Sequence, residues 1–214
     1  MTVSDNKLRI PELVRKEGLP DILQEADLRY LVSGSDDRRY GIIKRALARG
    51  DLIQVRRGLY TLGELHRRRS IHTFELAQKI YGPSYVTAES ALSYWGLIPE
   101  ATYSCVCGSS GRAKEFQTPF GHFSYSRIPY QPLYAHVTRR KENDSVYFMA
   151  TPIRALADYV YFSKQEWTWT AIQDSLRLED PPLFAREELQ SLITYFKNFR
   201  VQKFLKDLKK GLMR

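Results

Sequence analysis

The side chains best suited to a chemical task are the cations of one short stretch: Arg38, Arg39, Lys44, Arg45, Arg49, Arg56 and Arg57. Arginine presents a planar fork of donors that fits guanine O6 and N7 or a phosphate, and lysine presents a compact charge. Each cation that neutralises a phosphate releases condensed counterions, so a concentrated basic surface is what a polyanion binds. Residues 38–69 hold ten basic and two acidic side chains, and residues 195–214 hold seven and one. The remainder is slightly acidic although the net charge is +9. The excess is local.

Other chemistry lacks its parts. A restriction-type nuclease site needs a carboxylate followed two residues on by lysine, and no Glu in this chain has one. GxxxxGK[ST] and GxGxxG phosphate loops are absent. Gly108-Ser109-Ser110-Gly111 is a loop signal with no nucleophile and base beside it, and Glu89 is expected to serve structure. Cys105 and Cys107 are too close in sequence for an easy disulfide and lack the histidines of a zinc site, so they are expected as reduced thiols on a strand. His72, His122 and His136 are scattered, and His66 adjoins the basic run. No catalytic residue, metal or cofactor is expected, and the chain is not expected to be an enzyme.

Several elements must position those cations. Residues 10–17 read as a short helix with Pro11 in its first turn and Gly18 at its end. A short strand at 21–23 and a helix over 25–32 follow, and Ser33-Gly34 makes a tight turn. Ser35 caps a third helix running to about Ala48, with Asp36 and Asp37 at the positive end of its dipole. Its spacing predicts an apolar face of Tyr40, Ile43, Ala46 and Leu47, with Arg38, Gly41, Arg45 and Arg49 pointing away. Gly50-Asp51 ends it, and LIQVRRGLYTL (52–62) forms a hairpin around Arg56-Arg57-Gly58.

In chain order this is a winged helix-turn-helix. Its third helix would enter the major groove with Arg38 and Arg39 at base edges. Lys44, Arg45 and Arg49 would lie on phosphates, and Arg56 and Arg57 on a flanking phosphate or the minor groove. The bland alternative is a solvated basic surface.

The rest alternates strands and helices. His66-Arg67-Arg68-Arg69 is expected as a linker before a helix burying Phe74, Leu76, Ala77 and Ile80. Residues 84–96 form a strand and a helix capped at Thr87. Residues 101–150 turn β-rich, with a hairpin around Pro119-Phe120-Gly121. Thr151 and Pro152 start a helix to about 162. A long amphipathic helix is expected from Arg186 to about Lys210, with Leu189, Leu192, Ile193, Phe196, Phe199, Phe204 and Leu208 on one stripe. Its basic face (Lys197, Arg200, Lys203, Lys206, Lys209, Lys210, Arg214) is expected to be solvated. The opening residues show no apolar signal core and no run suits a membrane span, so a cytoplasmic protein is expected.

The expected fold is therefore α+β: a winged helix-turn-helix over 1–66, then an α+β domain over 67–214 with a mostly antiparallel sheet and a long C-terminal helix. ADLRYLVSGSDDRRYGIIKRALARGDLIQVRRGLYTL (26–62) resembles the N-terminal winged helix of AbiEi-type antitoxins. PSYVTAESALSYWGLIPE, FQTPFGHFSYSRIP and ATPIRALADYVYF are similar to later segments of that family, so the resemblance spans most of 26–162. It implies a type IV toxin–antitoxin system in bacteria. The antitoxin represses its own operon by binding inverted repeats in double-stranded operator DNA, and it counteracts a nucleotidyltransferase-like toxin. Some relatives stand without a toxin neighbour. The alternatives are a stand-alone regulator or a winged-helix protein-interaction module, with a metal-dependent nuclease third.

Overall fold

The computed structural model describes residues 9–99, 104–178 and 185–211. The start of the ATYSCVC run and Arg214 lie outside them. The fold is mixed α and β, with nine α-helices and two sheets among the described residues. It divides into two compact units, one reaching to His72 and including Thr118–Phe120, the other holding the rest.

The first unit starts with α1 (Ile10–Lys16), whose Glu12 reaches back to the Arg9 backbone N–H at 3.1 Å. Strand β1 (Ile22–Gln24), α2 (Glu25–Leu31), α3 (Asp36–Ala48), β2 (Leu52–Arg56) and β3 (Leu59–Leu62) follow. The strands form an antiparallel sheet in the order β1-β3-β2. Ile10, Val14, Leu23, Leu28, Ile43, Ala46, Leu52, Tyr60 and Leu62 make one core, so each helix commits one stripe inward.

The basic run after β3 is no free linker. Glu64–His66 forms a 3-10 turn, Arg67 Nε donates to Leu62 O at 2.8 Å, and the Arg68 backbone N–H donates to Asp21 at 2.8 Å. Gly63 must be glycine, because a Cβ there would stand 1.8 Å from Gly50 O.

The second unit carries α4 (Thr73–Ile80), β4 (Ser84–Val86), α5 (Ala88–Tyr94), β5 (Ser104–Ser109), β6 (Lys114–Thr118), β7 (Gly121–Arg127), β8 (Val137–Glu142) and β9 (Ser145–Ala150). Helices α6 (Pro152–Ser163), α7 (Trp169–Leu176), α8 (Arg186–Tyr195) and α9 (Phe199–Gly211) close it. Its six-stranded sheet has the order β6-β7-β5-β4-β9-β8. Antiparallel pairing predominates over the two sheets together, yet this one is mixed, since β4 runs parallel to β9 and β5 parallel to β7. Both cysteines lie buried on β5 as free thiols, their sulfurs in hydrogen-bond contact at 3.9 Å.

The long C-terminal helix is instead two. Phe196 is buried between α8 and α9, and Asn198 Oδ1 accepts from the Arg200 and Val201 N–H groups at 3.0 and 3.3 Å, capping α9. The buried positions Leu189, Leu192, Ile193 and Phe196 are followed by Val201, Phe204, Leu205 and Leu208. The five-residue step between the sets shifts the stripe's phase, so one straight helix could not bury both. Phe199, expected on the stripe, is 71% exposed.

Arg154 and Asp158 form the buried centre of this unit. Both side chains are fully buried, with Arg154 Nε 3.0 Å from Asp158 Oδ1. Tyr85 and Thr87 each donate a hydroxyl to Asp158 Oδ2 at 2.8 Å, and Arg154 Nη1 donates to Ala135 O at 2.7 Å. Thr87 therefore spends its side chain on Asp158 rather than on capping α5. Burial disfavours the Arg154 cation, but Asp158, Tyr85 and Tyr195 outweigh that and hold its pKa above the ordinary value. Removing one partner strands a buried charge. Asp158→Asn is expected to cost about 3–5 kcal/mol in chemical denaturation, whereas replacing both with apolar residues of matching volume costs much less. Equal losses from the two variants would refute this account.

Candidate nucleic-acid interface

Ser35 caps α3, its Oγ accepting from the Arg38 N–H at 3.3 Å. Arg39, Ile43 and Ala46 point into the unit, at the three- and four-residue spacing of one helix face. At roughly 100° per residue, the direction opposite that triplet falls on Gly41 and, two turns on, Ala48, with Arg38 and Arg45 about 40–60° to one side of Gly41 and Asp37 and Lys44 about 40–60° to the other. Arg38, Lys44 and Arg45 are exposed.

Two expectations are overturned here. Tyr40 is not core but 70% exposed, and Arg39 does not face outward but is only 7% exposed and ion-paired to Asp36. Ile43, Ala46 and Leu47 keep the expected side, and Arg39 takes the place of Tyr40 on it. Arg39 can take the inner position because its stem packs while its guanidinium reaches the acid three residues back.

The other cations divide between outward and inward work. Arg38 is exposed, with its guanidinium leaning back toward Ser33 O at 3.3 Å. Arg49 gives its Nε to Asp51 at 3.0 Å, so it is partly spent within the unit. Arg56 Nη1 donates to Arg57 O at 2.7 Å, and Arg57 is exposed at the hairpin turn. Gly58, at φ +75°, makes that turn, and its carbonyl accepts from the Glu25 N–H at 3.0 Å, tying the turn to the start of α2. The seven predicted residues thus share one helix and one hairpin of the same unit, with Arg39 on the wrong side of the helix for reading.

A groove of about 460 Å³ lies among α2, α3 and the two hairpin strands, lined by Glu25, Arg29, Tyr40, Lys44, Gln54 and Tyr60 among others. Its walls carry both signs of charge. Among the described residues, no group of three or more His, Cys, Asp or Glu side chains could hold a metal ion. No described helix is long and apolar enough to cross a membrane.

In the second unit, His136 is not a lone residue: its Nε2 sits 2.8 Å from Ser191 Oγ. Glu188 stands 3.6 Å from Nδ1, beyond hydrogen-bond reach, and its carboxylate already accepts from Thr151. Ser191 lies within α8. The contact therefore bridges a loop and a helix.

Sequence reasoning overlooked Asp51, which fixes the geometry of α3 against the hairpin. Its side chain is fully buried and accepts from Arg9 Nη2 and Arg9 Nε (the latter at 3.0 Å) and from Arg49, with His66 Nε2 at 3.3 Å. Burial is the strongest influence and pushes its carboxyl up, but Arg9 and Arg49 together outweigh it and hold the pKa below the ordinary carboxylate value. No local motif marks this acid; its only signal was its solitude between basic segments.

No protein-family model matches the chain, and neither does any curated protein.

A lowered carboxylate pKa stabilises the fold above the unfolded value of about 3.9, and that contribution is lost as pH falls through the lower folded value. Thermal unfolding from pH 6 down to pH 3 is expected to show a steep loss of stability below about pH 4. Asp51→Asn should flatten part of that loss while costing about 1–3 kcal/mol at neutral pH. An unchanged acid limb in the variant would show that Asp51 does not titrate as described.

Proposed function

We propose that the protein is a DNA-binding transcriptional repressor and the antitoxin of a type IV toxin–antitoxin pair, silencing its own operon. In this reading the first unit is a winged helix-turn-helix. Helix α3 lies in the major groove and the hairpin turn reaches the flanking backbone. The supporting observation is the outward face of α3, on which Arg38, Lys44 and Arg45 stand together in the same unit as the Arg56-Arg57 turn.

Arg38 is the base reader, since it lies in the first turn of α3 and its fork can bind guanine O6 and N7. Lys44, Arg45 and Arg49 position the helix on phosphates, and Arg56 and Arg57 do so from the hairpin. Arg39 supports the helix from within. The operator is double-stranded DNA carrying inverted repeats, and the toxin is nucleotidyltransferase-like; both follow from the resemblance of residues 26–162 to AbiEi-type antitoxins. The second unit answers to the toxin, and the protein works in the cytoplasm without catalysing a reaction.

The test is a salt-dependent titration against the duplex upstream of the protein's own gene, with a scrambled duplex as control. Preference for the upstream duplex is expected to survive near-physiological salt. Arg38→Ala should cost about 1–3 kcal/mol on that duplex alone, while Arg57→Ala should weaken both duplexes and lower the salt slope by about one. Equal, salt-labile binding to both duplexes would overturn the operator reading and leave generic electrostatics.

A further inference from the structure

We infer that Gly41 is the point of closest approach between α3 and DNA, where the helix backbone itself comes up to the base edges of the major groove. The inference rests on the DNA-binding reading above. Glycine in a helix interior is unfavourable relative to alanine, because it gives up more backbone freedom on folding. Some structural need normally offsets that cost.

The other glycines of the unit have one. Gly58 and Gly34 adopt positive φ values of +75° and +106°, and Gly63 faces a backbone oxygen at 1.8 Å from any added Cβ. Gly41 has no such need. It lies outside the left-handed region, and a Cβ there would meet only the tip of Arg45, at the ordinary contact distance of 3.5 Å. Alanine would fit the protein better, so the constraint comes from outside it.

The position of Gly41 indicates what that outside surface is. It stands opposite the buried triplet Arg39, Ile43 and Ala46, at the centre of the outward face. Arg38 and Arg45 flank it on one side and Lys44 on the other, with Asp37 one turn before it on the Lys44 side, all exposed. A low centre between raised cations matches a groove whose floor is base edges and whose two walls are phosphates. A methyl group at the centre would hold the helix off the floor without disturbing cations at the walls.

Gly41→Ala and Gly41→Leu in the full chain test this, with thermal unfolding and the same two duplexes as readouts. Gly41→Ala should raise the unfolding midpoint by about 2–4 °C. It should also weaken binding to the upstream duplex about tenfold, with scrambled-duplex binding and the salt slope unchanged. Gly41→Leu should lose more of the preference, because its side chain is longer. If wild type prefers the upstream duplex and Gly41→Ala binds it equally well, the inference falls and the repressor reading stands. A lowered midpoint in Gly41→Ala would also sink it, by showing that the glycine serves the fold. No preference in the wild type would overturn both.

Discussion

The first unit depends on one buried carboxylate. Asp51 lies three residues past the end of α3 and directly before β2, so its position bears on the angle at which helix passes into hairpin. A lone carboxylate at that depth would neutralise or drag water inward. Arg9 from the start of α1 and Arg49 from the end of α3 supply the countercharge, with His66 from beyond β3 close by. Three other points of the chain are thereby drawn to one pair of oxygens. The Asp51 backbone carbonyl also accepts from the Gly63 N–H at 2.8 Å, where any larger residue than glycine would collide. Helix α3 can present a fixed outer face because its inner end is held by charge as well as by packing.

The second unit applies the same principle at greater depth. Arg154 and Asp158 lie one turn apart on α6, and their partners come from β4, from the residue after it and from the loop before β8. The guanidinium also stacks against Tyr195 and Phe196, 4.6 and 5.2 Å from the ring centroids, so the end of α8 joins the cluster. Desolvating such a pair costs several kcal/mol per ion, and only full satisfaction of its donors and acceptors returns it. An apolar core tolerates small slides between elements, whereas this cluster has one arrangement that pairs every group.

How much of this was legible in the sequence depended on whether the signal was local. Ser35, Thr151-Pro152 and the Arg57-Gly58 turn announce themselves within four residues, and the corresponding helix starts and hairpin lie where expected. Signals that compare distant residues were opaque: neither Asp51 nor the Arg154–Asp158 pair is marked by its neighbours. Thr87 shows the limit from the other side, since a good capping residue was diverted by an acid 71 positions away. Periodicity failed in two instructive places. An aromatic Tyr40 was more attractive as core than an arginine, yet Arg39 could bury its stem and still pair. The C-terminal stripe looked continuous, but Asn198 caps a second helix and the step from Phe196 to Val201 shifts the buried phase.

The same contrast bears on what net charge can say about a binding surface. The run from 38 to 69 is strongly basic by count, but a count has no direction. Arg39 is held by Asp36, Arg49 shares Asp51, and Arg68 is tied to Asp21. Those cations brace the unit, and their fields are largely cancelled at close range by the acids they touch. Arg38, Lys44, Arg45 and Arg57 are instead exposed, on α3 and at the hairpin turn. A basic segment is therefore necessary for such a surface but does not define it. The defining step is the partition of its cations between bracing and display, and acids such as buried Asp51 and exposed Asp36 make that partition.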